Sequence, residues 1–155
     1  MLLPMVLNSI HPLLRETYIG ELLKSNERTK EYGLVLTAEE VQHIIEVRNH
    51  VLNSYGRVEL GLEVTKELID NFCTSAFVNR ENYVPTLNEL HETFYYLKNE
   101  TEDRIADDKL IRMMKDYFEN SCGGSIDLLK STLEVFAEDF RRKAQIKDSL
   151  GEGDE

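Results

Sequence analysis

At 155 residues and 41% hydrophobic composition, the chain is long enough to bury roughly 70% of the surface its unfolded form exposes, so one core holds without staples. Its formal charge of -11 and pI near 4.9 repel phosphate backbones and anionic lipid heads, which argues against nucleic-acid and membrane partners. Cys73 and Cys122 stand far apart with no CxxC or zinc-type spacing, which points away from a disulfide framework and toward a reducing cytoplasm.

Met1 to Leu14 is apolar but lacks a basic n-region, holds Pro4 and Pro12, and runs directly into charged sequence. It does not read as a secretory signal. No other stretch approaches the ~20 apolar residues of a membrane span. A soluble, cytoplasmic protein is expected, in which the sequon Asn99-Glu100-Thr101 carries no glycan.

From about Pro12 to Arg28, Leu14, Tyr18 and Leu22 share one face with Ile19 and Leu23 beside it, the pattern of an amphipathic helix. SNERTKEYG, ending at Gly33, is a short connector. Thr37 and Glu40 have capping-box spacing and open the next helix. Its core face is Val41, Ile44, Ile45, Val51, Leu52 and Tyr55, and Gly56 is its left-handed stop. Arg48 falls inside that face, where a guanidinium must snorkel or find a partner. Gly56 to Gly61 (GRVELG) alternates polar with apolar, so a short extended piece would place Arg57 and Glu59 on one side.

A helix from about Leu62 to Thr74 aligns Val64, Leu68 and Phe72, and makes Cys73 a small buried hydrophobe. Asn79 to Glu102 is the natural central helix: Tyr83, Leu87, Leu90, Phe94 and Leu97 recur at spacings of four and three. Asn79 is its expected N-cap, and Pro85 requires the helix to start nearby or bend there. Asp107 or Asp108 is expected to cap a helix with Leu110 or Ile111, Met114, and Tyr117 or Phe118 inside. The last helix, about Ser125 to Lys147, aligns Leu129, Leu133, Phe136 and Phe140. The expectation is therefore an all-α single-domain bundle of about six helices over residues 1–148, followed by a disordered acidic tail at 149–155.

EYGLVLT at Glu31 to Thr37, Arg48-Asn49, GRVELG at Gly56 to Gly61, and TLNELHETFYYLKNET at Thr86 to Thr101 resemble a family of small bacterial proteins of unknown function. The resemblance spans roughly residues 30 to 130. It implies no activity, cofactor or site residue.

Glu40-x-x-His43 has di-iron spacing, but no second Glu-x-x-His exists and Glu40 belongs to the cap, so no metal is expected. Cys122-Gly123-Gly124-Ser125 lacks the lysine and spacing of a P-loop, and reads as a C-cap followed by an N-cap. Arg141, Arg142 and Lys143 sit among acidic residues as a solvated helix end. What remains is a set of polar residues near predicted core faces: Arg48, Arg57, Glu59, His91, Tyr95, Asn99 and Glu100. His91, Tyr95 and Asn99 share a helix face, and Arg48 is expected to meet Glu59 or Glu100. Their plainer reading is a buried ion-pair network that fixes helix register; the sharper one is a pocket for an anionic ligand. No nucleophile, base and oxyanion set, cofactor fingerprint or metal quartet can be assembled. The sequence thus favours a non-enzymatic binding or scaffolding protein, without cofactor, that acts through self-association or a protein partner. A polar ligand pocket or unusual enzyme around Arg48 and His91 is the alternative.

Overall fold

The computed structural model describes residues 12–154, with side-chain surroundings for 14–148. The reading of Met1 to Leu14 as no signal segment therefore falls mostly outside the described residues. Six helices carry the fold: α1 (Pro12–Leu23), α2 (Ala38–Ser54), α3 (Glu63–Phe72), α4 (Tyr83–Glu100), α5 (Asp107–Glu119) and α6 (Ile126–Asp154). No strand forms among the described residues, so the architecture is the expected all-α bundle.

α4 is the central helix because its 4-3 stripe is wide enough to serve several neighbours. Tyr83, Leu87, Leu90, Phe94 and Leu97 are all buried, and the helix packs against α2, α3, α5 and α6 while α1 lies on α2. Each such side chain contributes about 1.5–3 kcal/mol by leaving water. Pro85 resolves as a first-turn residue: α4 begins at Tyr83, and a first-turn proline lacks only an N–H that has no intrahelical acceptor. Asn79 is not the cap. Its Oδ1 accepts from the N–H groups of Glu81 and Asn82, and so closes the turn ahead of the helix.

α2 opens on the capping box foreseen from Thr37 and Glu40, with both reciprocal bonds made at 2.9 and 3.1 Å. Gly56, at φ 67°, ends it where a Cβ would be strained. Between α1 and α2 the connector is built rather than loose. A one-turn helix (Asn26–Thr29) precedes a 3-10 turn (Lys30–Tyr32), and Asn26 both donates to and accepts from the backbone of Leu36 at 2.9 Å. In α1, Tyr18 and Leu22 are buried as expected but Leu14 is exposed, because the first turn of the helix runs past the core.

Two end expectations need correction. α5 has Ala106 at its N-cap with no side-chain cap bond, and Asp107 and Asp108 are the first two residues of its first turn, where their charge favours the dipole. α6 continues through the expected tail boundary to Asp154. Extending a formed helix needs only one residue fixed per hydrogen bond, so glycines at an open end weaken it by about 1 kcal/mol each without forbidding it.

Candidate functional site

Four of the seven polar residues singled out in the sequence, Arg48, Arg57, Glu59 and Tyr95, meet at the segment between α2 and α3. Arg48 lies on the buried face of α2, one turn from Ile44 and from Leu52, and is 3% exposed. Its Nη2 donates to the backbone carbonyls of Glu59 (2.7 Å) and Gly61 (2.6 Å), and its Nη1 donates to Asn49 Oδ1 (2.6 Å). From α1, the Tyr18 hydroxyl donates to the intervening carbonyl of Leu60, and the Tyr18 ring lies under the Arg48 guanidinium at 5.7 Å. Three successive carbonyls of one segment are thus held by two side chains from two helices. Arg48 is a core residue, as its position suggested, but it pairs with backbone rather than with a carboxylate.

The same segment is gripped from α4. Tyr95 donates its hydroxyl proton to Glu59 Oε1 at 2.6 Å, and Arg57 lies over the Tyr95 ring at 5.9 Å while donating to Asp103 at 2.6 Å. Burial first, then the Glu59 carboxylate, pushes the Tyr95 phenol well above its usual range, so it remains a proton donor. Arg57 and Glu59 do share one side of the segment, as the alternation required. The consequence lies on the other side: Val58 is 60% and Leu60 80% exposed.

His91 belongs to a separate, closed arrangement. Its Nδ1 lies 2.8 Å from the Leu87 carbonyl and its Nε2 2.7 Å from the Thr65 hydroxyl. A carbonyl only accepts, so Nδ1 carries the proton and Nε2 accepts from Thr65. Burial chiefly, with Arg48 repelling the charged form, lowers the His91 pKa from 6.5 to about 4. It is a neutral imidazole at neutral pH.

The other candidates go elsewhere. Asn99 is exposed, because the i, i+4, i+8 line of His91 and Tyr95 drifts off the core as α4 reaches its end. Glu100 meets Arg141 of α6, not Arg48, and Arg142 meets Asp139. Glu40 completes the cap and accepts from Arg80 at 2.7 and 2.8 Å. Among the described residues no three His, Cys, Asp or Glu side chains converge on a point. Gly123 and Gly124 take φ of 55° and 83°, and Ser125 Oγ accepts from Leu128 N–H at 3.2 Å, which is the C-cap to N-cap junction. Cys73 and Cys122 are both buried and free.

Sequence reasoning passed over Tyr18, Asp103 and Lys98. Its spacing marks Tyr18 only as part of a core face, and nothing in it reveals a hydroxyl aimed at a carbonyl. Lys98 is buried among the Ile105 carbonyl and Asp107 at 2.8 Å each, and fixes the turn in which Glu102 and Asp103 adopt φ of 55° and 59°. The signal that could have found it is a lysine one turn below Phe94 on a helix with few outward positions.

What these bonds do is hold the segment between α2 and α3 in one position. Arg48 spends its Nη1 and Nη2 on three acceptors of the chain itself, and His91 is buried and neutral. No curated protein and no solved structure matches the chain. One family model does, over residues 21–146, which reaches beyond both ends of the stretch that carried the resemblance. The chain belongs to that family, the family of unknown function DUF6323.

Proposed function

We propose that the protein is a non-catalytic binding protein whose recognition element is the segment Arg57 to Gly61, and that its ligand is a protein with an apolar pocket rimmed by basic residues. One observation carries the reading. Buried Arg48 and Tyr18 hold the backbone of this segment, and Tyr95 holds its Glu59 carboxylate, while its two aliphatic side chains face water. Left to the hydrophobic effect, Val58 and Leu60 would turn inward and Arg57 and Glu59 outward; the opposite arrangement is maintained by specific bonds. A presented pair of aliphatics on a pre-ordered backbone loses little entropy on binding, which is how small anchors reach useful affinity. Glu63 and Glu102, both exposed, and the charge of -11 favour a basic rim and disfavour a second copy of the chain. The cytoplasmic setting belongs to this proposal as well.

The test is crosslinking in cells from a photoreactive residue at position 60. The expected result is one specific protein adduct that disappears in Val58→Ser, persists in Val135→Ser, and re-forms from the two purified proteins. An adduct of the chain with itself would replace the partner by self-association. No specific adduct, or one indifferent to Val58, would overturn the reading.

A further inference from the structure

Where α2 ends beside α4, and α6 flanks α4 from the other side, an open cleft of about 140 Å³ is lined by Tyr55, Glu92, Thr93, Tyr96, Lys130 and Glu134. That is far more than the ~10–15 Å³ that admits one water, and less than a drug-sized pocket. We infer that this cleft is a binding site for a small primary alkylammonium ion, seated between the two phenol rings with its N–H groups on Glu92 and Glu134.

The charge of the cleft points to a cation. Lys130 is its one basic lining residue, and its ammonium is already paired with Glu89. Glu92 acts on that ammonium through space, after Glu89, but neither Glu92 nor Glu134 is in an ion pair or side-chain hydrogen bond among the described residues. The last turn of α2, which delivers Tyr55, contains no basic residue, so the negative end of that helix is not neutralised from within. Both phenols respond to the acidic charge: burial and then Glu92 and Glu100 raise the pKa of Tyr55, and burial and then Glu100 and Glu134, opposed by Arg141, raise that of Tyr96.

The lining also selects the kind of cation. Tyr55 and Tyr96 line the cleft, and aromatic rings attract a positive charge to their faces and a short alkyl chain to their apolar bodies. The Thr93 hydroxyl donates its proton to the Glu89 carbonyl at 2.8 Å, so toward the cleft it offers only lone pairs. Two carboxylates and one hydroxyl oxygen are then three acceptors for the three donors of a primary ammonium. A quaternary ammonium brings no donor, and would leave both carboxylates without the hydrogen bonds they lose with their water. An inorganic cation would gain nothing from the rings.

The experiment is a titration of the purified full-length protein with butylammonium, followed by amide chemical shifts. Butanol, tetramethylammonium and sodium chloride at equal concentration are the comparisons. Saturable shifts are expected at Tyr55, Glu92, Thr93, Tyr96 and Glu134 with butylammonium, with butanol and sodium chloride failing to reproduce them and tetramethylammonium at least about tenfold weaker. Glu92 and Glu134 are exposed, so Glu92→Gln with Glu134→Gln should fold normally and weaken binding by about tenfold or more. Tyr96→Leu should weaken it by about threefold to thirtyfold. Shifts that do not saturate, equal binding of butanol or tetramethylammonium, or an unchanged affinity in the double glutamine variant would each overturn the assignment. The cleft and the Val58–Leu60 segment are separate surfaces, so either can fail alone.

Discussion

At the scale of single residues, two buried polar groups set measurable behaviour. His91 is neutral in the fold, with its pKa lowered from 6.5 to about 4, whereas in the unfolded chain it takes up a proton below about 6.5. Below that pH the unfolded state binds more protons, so the stability this group contributes is full above about 6.5 and is lost as pH falls toward about 4. The lost amount is roughly 3 kcal/mol for a shift of this size. Urea unfolding of wild type and His91→Gln across this range should show the wild type losing that much more; parallel curves would mean that His91 is accessible to protons in the fold. Arg48 gives the second case. Arg48→Met keeps the stem and strands the carbonyls of Glu59 and Gly61, so a loss of about 3 kcal/mol is expected from charge-assisted bonds at this depth. Because the partners are carbonyls, adding Glu59→Gln should restore none of it. Restoration in the double variant would show that the carboxylate, not the backbone, is the partner.

At the scale of elements, what could be read in advance was periodicity, and what could not was anything made of backbone. The 4-3 stripe of α4 and the Thr37–Glu40 box are side-chain patterns, so they were legible, and the box also predicts that Thr37→Ala lowers stability by about 1 kcal/mol. A loss near zero would indicate that the Arg80 contact to Glu40 holds the helix start unaided. The position of Arg48 in an apolar face was likewise legible, but its partners were not, since a carbonyl leaves no trace in sequence whereas the carboxylates of Glu59 and Glu100 do. The face of the Arg57–Gly61 segment illustrates the same limit. Alternation says that Arg57 and Glu59 share a side; only the ring of Tyr95 and the guanidinium of Arg48 decide that this side is the inner one. The cleft of Tyr55, Glu92 and Tyr96 was hidden for a different reason: it is assembled by three helices distant in sequence, and no spacing rule brings Lys130 and Glu134 beside Glu92. The α5 cap and the α6 end were misjudged because helix ends answer to local competition between weak terms.

At the scale of the whole molecule, the charge of -11 acts on stability and on binding with opposite signs. Most ion pairs here join exposed groups, such as Arg112 with Asp108 at 3.1 Å and Arg104 with Asp148 at 3.4 Å, and solvent screening leaves each contributing little. They act over distances shorter than the Debye length of about 10 Å at 0.1 M salt. The repulsion among the unpaired acidic groups acts over longer distances and is screened first. Added sodium chloride, from about 0.01 M to about 0.2 M, should therefore stabilise the fold, by about 1 kcal/mol, or roughly 2–4 °C in melting temperature for a domain of this size. Binding of an alkylammonium in the cleft, or of a basic-rimmed protein at Val58 and Leu60, should weaken over the same range, since there the screened interaction is an attraction. Thermal melts and binding titrations run side by side decide the matter. A melting temperature that falls with salt would mean that the ion pairs outweigh the repulsion, and the acidic surface would then be a stabilising network and not a field that selects cationic partners.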